Sequence, residues 1–193
     1  MSDVKARGTR WKAVLRRRPT VLAVGTAAVS AVSAASAGGS SAEEITSLTE
    51  ILLLLPLVYL VVAKVRRREA SWPALLVFTV LYVVLRALEV VAVPVVFAVV
   101  ALAVLVWGAV SGDLRRSGSF RAQSLGMIGF GALVLAALMV EPDLGRYLVA
   151  AGWLLHGAWD FVHLRRNAVV SRSYAEWCGV FDILTAAQLV FLA

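Results

Sequence analysis

The sequence contains very little cysteine, histidine and charge. Of its 193 residues, one is Cys, two are His and only 16% are Asp, Glu, Lys or Arg, while 61% are hydrophobic. The single cysteine, Cys178, excludes an internal disulfide bond and any metal site built from several cysteines. An ordinary soluble domain has more charged residues and fewer apolar ones than this chain. The composition therefore excludes such a domain and indicates an integral membrane protein.

Seven apolar stretches are long enough, at about 17 to 25 residues, to cross a bilayer as helices. They predict an all-α, multi-pass bundle over residues 20–193, preceded by a basic cytoplasmic segment at residues 1–19. The connections are short, so neighbouring helices should be antiparallel. The stretches are Thr20 to Ala37, Ile45 to Val65, Trp72 to Val91, Pro94 to Ser111, Ala122 to Val140, Leu144 to Leu164 and Tyr174 to Ala193.

The basic residues indicate which end of each helix faces the cytoplasm, because cytoplasmic connections are rich in Lys and Arg. If the N-terminus is inside, the inner segments hold all of the 19 Lys and Arg except Arg86 and Arg146. The outer connections carry acidic residues instead. The sequence therefore predicts the N-terminus inside and the C-terminus outside. The net charge of +7 is interpreted as a topology signal and not as a nucleic-acid surface, since no basic groove with interleaved aromatics is present.

The first apolar stretch permits a second interpretation. A basic leader, an apolar run and the ending Ala35-Ser36-Ala37 are also typical of a cleaved signal peptide. Ala27, Ala31 and Ala35 instead form a small-residue face suited to helix packing, which favours a retained helix. Cleavage would leave six helices with the same orientation. In the fifth stretch Ser124, Gly126, Gly129 and Gly131 are likewise interpreted as close-packing positions, with a groove for a lipid chain as the alternative.

The most informative motif is His156-Gly-Ala-Trp-Asp-Phe-Val-His163, because it places three ionisable residues in an apolar stretch. Charged residues at the centre of a bilayer cost about 2.5 to 3.5 kcal/mol, so they usually pair, line a cavity or do chemistry. His156 and Asp160 share one helix face, and a polar stripe on the last helix faces them. Comparing depths at about 1.5 Å per residue puts His156 level with Asp182 and Asp160 level with Cys178.

We therefore expect a hydrogen bond between His156 and Asp182, with Asp160 one turn nearer the cytoplasm. A carboxyl group in apolar surroundings can be kept as an acid while an imidazole relays its proton, so these three residues are candidate catalytic groups. His163 should lie at the cytoplasmic edge. Around the catalytic groups, the candidate substrate-binding residues are Trp159, Tyr174 and Cys178.

A second polar pair is predicted nearer the outer side. The same depth arithmetic brings Glu50 of the second helix opposite Arg86 of the third. An ion pair that fixes the register of two helices is one interpretation. The alternative is an outer site in which Glu50 is catalytic and Arg86 binds substrate.

A metal site is a rival interpretation of the inner residues. His156, Asp160 and Asp182 can supply ligands to one ion, but His156 and His163 lie about 10.5 Å apart along the helix axis, too far to share one easily. The sequence offers no further nitrogen or sulfur ligand except Cys178. We therefore predict neither a metal nor another cofactor.

Two resemblances follow from these residues. Seven helices with Trp159-Asp160 on a late helix and Asp182 on the last resemble the small integral-membrane terpene cyclases, which are thought to protonate an isoprenoid with embedded carboxylates. That family's early acidic motif is absent, and Thr49-Glu50 is only a loose counterpart. The last quarter of the chain also resembles small bacterial membrane proteins, which implies a bacterial plasma membrane.

Three functions remain open at this point. The first is a membrane-embedded enzyme that uses acid and base catalysis on a lipid or isoprenoid substrate. The second is a small proton-coupled transporter with the outer and inner polar layers as gates. The third is a non-catalytic subunit of a membrane complex, in which the polar residues only hold helices together. The expected partners are the bilayer and, for the enzyme, a hydrophobic small molecule; the oligomeric state stays open.

Overall fold

The computed structural model describes residues 18–36 and 42–191, and every regular element within them is helical. The predicted all-α class is therefore confirmed. A 3₁₀ turn (Arg68–Ala70) and a single helical turn (Asp113–Arg116) lie among seven longer α-helices. The longer helices are α1 (Arg18–Ser36), α2 (Ala42–Val65), α3 (Ser71–Leu88), α4 (Val93–Val110), α5 (Gly118–Met139), α6 (Pro142–Arg166) and α7 (Arg172–Phe191).

Each predicted apolar stretch corresponds to one long helix, with ends that differ by a few residues. The helix α5 begins at Gly118 and not at Ala122, because the Ser117 hydroxyl accepts a hydrogen bond from the backbone N–H of Phe120 and caps the helix there. Pro94 lies in the first turn of α4, where its missing N–H costs nothing. The predicted end residues Ala37 and Ala193 lie outside the described residues.

Within residues 18–36 and 42–191, four helical segments are long and apolar enough to cross a membrane. They are Ala42–Val65, Arg68–Leu88, Val93–Val110 and Gly118–Met139. A shorter apolar stretch, Arg18–Val32, belongs to α1. The helices α6 and α7 are less apolar because they carry most of the polar side chains of the candidate site. The length and composition of the four segments suit a membrane protein.

The helix α2 lies at the centre of the bundle. In its most apolar stretch 72% of residues are buried, against 11% in Arg68–Leu88 and 33% in α5. It packs against α3, α4, α5 and α6, while α7 packs against α6 on one side and α1 on the other. A helix that is apolar on all sides is expected in such a central position. This arrangement brings one face of α2 against the polar face of α6.

Two glycines allow α6 and α7 to approach each other closely beside the acidic residues. A Cβ atom on Gly157 would lie 3.2 Å from the Asp182 Cβ and 3.2 Å from the Gly179 carbonyl oxygen. A Cβ on Gly179 would lie 3.2 Å from the Asp160 Cβ. Contacts so short are tighter than normal packing allows. Glycine at both positions therefore sets the distance between the two aspartates.

The glycines of α5 fulfil their prediction only in part. Gly126 packs against Trp159, whose ring would lie 3.3 Å from an added Cβ. The predicted close packing of Gly129 and Gly131 is wrong, because no described atom outside their own helix and neighbours lies within 4 Å of an added Cβ at either position. Gly131 instead lines an apolar groove of about 370 Å³ between α4 and α5.

Candidate functional site

The centre of the candidate site is the imidazole of His156, which two aspartates share. Its Nδ1 atom lies 2.7 Å from Asp182 Oδ2 and 3.2 Å from Asp160 Oδ2. All three side chains have zero exposure. The predicted hydrogen bond between His156 and Asp182 is confirmed, and Asp160 joins it from one turn along α6. A charged or polar group so far from water is costly unless it is paired.

Tyr59 of the central helix α2 completes this group. Its hydroxyl donates a hydrogen bond to Asp160 Oδ1, and its ring centroid lies 5.7 Å from that of His156. Tyr59 is 1% exposed. We refer to His156, Asp160, Asp182 and Tyr59 as the core cluster. Comparing depths within helical hairpins missed Tyr59, because α2 and α6 are not consecutive. The sequence feature that could have indicated Tyr59 is a single hydroxyl group in an apolar run.

The core cluster holds one base and two acids, so its charge does not balance. If both aspartates are ionised and His156 is protonated, the net charge is one negative unit in apolar surroundings. One further proton held within the cluster makes it neutral. Because a buried net charge is strongly disfavoured, the arrangement favours a retained, shared proton.

Three polar atoms of the core cluster are left without a hydrogen bond among the described residues. They are His156 Nε2, Asp182 Oδ1 and Asp160 Oδ2. Buried polar atoms are nearly always hydrogen-bonded, so unpaired ones require an explanation. An ordered water molecule provides one, and a group that accepts or releases protons during a reaction provides another.

A second polar group lies beside the core cluster and is fully paired. The Nδ1 atom of His163 lies 2.8 Å from the Trp159 carbonyl oxygen, and its Nε2 atom lies 2.9 Å from Gln123 Nε2. The Trp159 indole in turn donates to Gln123 Oε1 at 3.2 Å. These distances fit a neutral imidazole that donates from Nδ1 and accepts at Nε2.

This pairing suits a structural role for His163. Its expected position at the cytoplasmic edge stays a prediction; the residue is buried, at 8% exposure, and packs its ring 5.0 Å from that of Tyr59. Trp159, a predicted substrate contact, belongs to this paired group. Sequence reasoning missed Gln123, which lies on α5 and meets His163 only through packing of α5 against α6.

Tyr174 and Cys178, the other inner residues predicted to bind substrate, are both fully buried on α7. The Tyr174 ring lies 5.9 Å from that of Tyr59 and 5.7 Å from that of Trp72. Both residues thus wall the core cluster on its α7 side. Neither presents a surface to an open cavity, since neither side chain is reached by solvent.

The predicted outer pair is present but lies apart from the core cluster. Arg86 Nη1 is 3.8 Å from Glu50 Oε2, and Arg86 Nη2 is 3.3 Å from Glu43 Oε1 and 3.3 Å from the Ser47 hydroxyl. Glu50 precedes Tyr59 by nine residues, which is about 14 Å along α2. The four predicted catalytic residues therefore separate into an inner group of three and an outer glutamate.

The inner three residues can supply one ligand atom each to a metal ion, and these atoms lie within 4.8 Å of one another. Two ligands on one tetrahedral ion, with bonds of about 2.1 Å, lie about 3.4 Å apart. The observed 2.7 Å between His156 Nδ1 and Asp182 Oδ2 is shorter and is a normal hydrogen-bond distance.

The fold and the site together define an all-helical chain with a buried cluster of one histidine, two aspartates and a tyrosine. None of the protein-family models, curated proteins or solved structures compared with the chain matches it. A function is therefore inferred below from the geometry of the site.

Proposed function

We propose that this chain is a membrane-embedded enzyme that transfers protons to and from an apolar substrate, a lipid or an isoprenoid. The observation that carries the proposal is the sharing of the His156 Nδ1 atom by two carboxyl groups that have no exposure to solvent. A retained proton in a dry site is available for general acid catalysis, which contributes about 10² to 10⁴ in rate.

The reaction class that suits this cluster is isomerisation or cyclisation. Such a reaction adds a proton to one carbon of the substrate and removes a proton from another, so it needs no net oxidant or reductant. Asp160 is the proposed acid, since the Tyr59 hydroxyl stabilises the carboxylate left after proton release. The pair formed by His156 and Asp182 is the proposed base.

Aromatic rings around the cluster support a substrate that becomes positively charged. The Phe130 and Tyr59 ring centroids lie 5.2 Å and 5.7 Å from that of His156. The face of an aromatic ring attracts a cation by about 0.5 to 2 kcal/mol. A carbocation formed by protonation would be stabilised there, in line with the resemblance to terpene cyclases.

A route for an apolar substrate is proposed through the groove of about 370 Å³ between α4 and α5. Met127 and Val134 of α5 line this groove, and Phe130 lies between them in sequence and contacts the His156 ring. Displacing the Phe130 side chain would connect the groove with the core cluster. The substrate would then reach the site from the lipid side without crossing water.

The membrane topology is part of the proposal. Seven spans with the N-terminus inside place the Lys and Arg of the α2–α3, α4–α5 and α6–α7 connections on the cytoplasmic side. The core cluster then lies in the inner half of the bilayer. A bacterial plasma membrane is the proposed location.

Proton exchange with solvent tests the enzyme proposal without knowledge of the substrate. The purified protein is incubated with bacterial lipid extract in heavy water, and apolar products are analysed by mass spectrometry. We expect a product that carries deuterium on carbon with the wild-type protein and with Asp143→Asn, an exposed position on the same helix. Asp160→Asn should abolish it.

Two outcomes contradict this proposal. Full deuterium incorporation by Asp160→Asn would remove Asp160 from the chemistry. A stoichiometric metal ion found in the purified protein, with product formation lost when that ion is chelated, would replace proton sharing with metal chemistry.

A proton-coupled carrier is the second candidate, favoured by the separate ion pair of Glu50 and Arg86 near the outer side. Two polar layers about 14 Å apart along α2 would act as alternate gates. This candidate requires solute flux into liposomes that depends on a pH gradient and is lost in Glu50→Gln. Flux that is unchanged in Glu50→Gln would exclude it.

A further inference from the structure

A small cavity at the end of α2 lies apart from the core cluster. Its volume is about 240 Å³, and four parts of the chain enclose it: the end of α2, the 3₁₀ turn, the start of α5 and the loop between α6 and α7. The side chains that line it are Val62, Ala63, Arg66, Arg68, Ser117, Ser119 and Val169. Two arginines and two serines thus line one space.

The polar groups of this cavity are mainly hydrogen-bond donors. Arg66 Nη2 donates to Asp113 Oδ1 at 2.7 Å, but a guanidinium carries five N–H donors, so most remain for another acceptor. Arg68 adds a second guanidinium, and no acidic side chain lines the cavity. The Ser117 hydroxyl accepts from the Phe120 N–H and keeps its own proton to donate.

Two backbone features position these side chains at some cost. Arg66 has a φ of 58° and Val169 a φ of 67°. A positive φ is rare for a β-branched residue such as valine, and strained conformations cluster at functional sites. The Val170 N–H donates to the Ala168 carbonyl oxygen at 2.8 Å and closes the turn around Val169. This turn forms one wall of the cavity.

We infer that this cavity binds a phosphate group. Arginine pairs with phosphate oxygens through parallel hydrogen bonds, and basic pockets between helices at the inner side of a membrane bind anionic head groups. The valine and alanine side chains of α2 form an apolar wall beside the arginines. A phosphodiester with its first acyl carbons would therefore fit better than a free anion. The inference does not depend on the enzyme proposal.

The test compares variants that separate the cavity from the general positive charge of this end. Native mass spectrometry in detergent measures binding of phosphatidylglycerol, with phosphatidylcholine as the neutral lipid. Arg68→Gln should weaken phosphatidylglycerol binding about tenfold, because a direct charged contact is lost. Arg67→Gln removes the same charge from an exposed neighbour outside the cavity lining and should change binding less than about twofold, because salt screens it.

Ser119→Ala is a further variant, which leaves the charge of the cavity unchanged. It should weaken phosphatidylglycerol binding about threefold through loss of one hydrogen bond. Two results would overturn the inference. One is an equal loss of phosphatidylglycerol binding in Arg67→Gln and Arg68→Gln; the other is unchanged binding in both Arg68→Gln and Ser119→Ala. The effect of inorganic phosphate on the unfolding temperature distinguishes the two sources of the phosphate group. If phosphate stabilises the protein and Arg68→Gln removes that stabilisation, the site binds the free anion. If phosphate does not stabilise the protein but phosphatidylglycerol binds, the site binds a lipid head group.

Discussion

Two polar groups of this molecule, each built around a buried carboxyl group, pair their charges in different ways. The first, which we call the end cluster, consists of Lys64, Ser111, Asp113 and Arg66 and joins the end of α2 to the connection between α4 and α5. Asp113 accepts from Lys64 at 2.5 Å and from Arg66 at 2.7 Å, and it also contacts the Ser111 hydroxyl at 3.0 Å. The Lys64 ammonium also lies 4.5 Å from the centre of the Trp107 ring.

In the end cluster each carboxylate oxygen of Asp113 meets a cation. The side-chain exposures of Lys64 and Asp113 are 5% and 12%. The hydrogen bond from Lys64 lowers the pKa of Asp113 below its usual 3.8, with Ser111 and Arg66 adding to the effect against the opposing influence of burial. A carboxylate held in this way has no proton to give near neutral pH.

The core cluster is the opposite case. It has more acid than base, and Asp182 Oδ1 and His156 Nε2 are unpaired among residues 18–36 and 42–191. A cluster that served only to hold helices together would satisfy its polar atoms, as the end cluster does. Pairing, and not burial alone, therefore separates the end cluster from the core cluster, and this difference supports the chemistry proposed for the core cluster.

The largest expected effect separates the two histidines of the chain. His156→Gln should lower turnover by about 10² to 10⁴, because the proton relay of the core cluster is lost. His163→Gln makes the same change in the fully paired group and should leave turnover within about threefold while it lowers the unfolding temperature. Turnover assays of both variants check this, and equal losses would show that the groups do not differ.

Tyr59→Phe should have the next largest effect. It removes the hydroxyl that donates to Asp160, a loss of about 1 to 2 kcal/mol in stabilisation of the carboxylate, or roughly tenfold in turnover. Tyr82→Phe, a partly exposed tyrosine on α3, is the control and should behave as wild type. If Tyr59→Phe keeps full turnover, the Tyr59 hydroxyl has no part in the chemistry.

Much of this comparison could be anticipated from the sequence, and the part that could not is tertiary. Helix positions follow from apolar length, and the pair of His156 and Asp182 follows from depth within one hairpin. Tyr59 escapes such reasoning because α2 and α6 are not consecutive, and Gln123 escapes it because depths were compared in the α2–α3 and α6–α7 hairpins and not between α5 and α6. The end cluster could not be predicted either, because Asp113 reaches Lys64 through the helical turn between α4 and α5, and hydropathy does not predict that turn.

Glycine packing offers a smaller effect on stability. Gly157→Ala places a methyl group 3.2 Å from the Asp182 Cβ and should lower the free energy of unfolding by about 1 to 3 kcal/mol, since the helices must separate. Gly129→Ala, where an added Cβ meets no described atom within 4 Å, should raise it by about 0.5 to 1 kcal/mol. Denaturation in detergent measures both. A stabilising Gly157→Ala would contradict the close approach of α6 and α7.

The smallest effect concerns pH and the end cluster. Because the folded pKa of Asp113 is lower than its unfolded value, the ionised group stabilises the fold above pH about 4, and this contribution is lost as pH falls through the folded pKa. Asp113→Asn should remove that part of the acid dependence, as measured by unfolding temperature between pH 7 and pH 2.5. An unchanged acid profile in the variant would show that the Asp113 ion pairs contribute nothing to stability.

The central claim is that the core cluster exists for chemistry and not for stability. The most direct test measures folding and deuterium incorporation on the same preparation of Asp182→Asn, which keeps the size of the side chain and removes its acidity. We predict a folded protein with an unfolding temperature close to that of the wild type and no deuterated product. A variant that unfolds readily but retains turnover in its folded fraction would contradict the claim and would assign the cluster to the structure of the bundle.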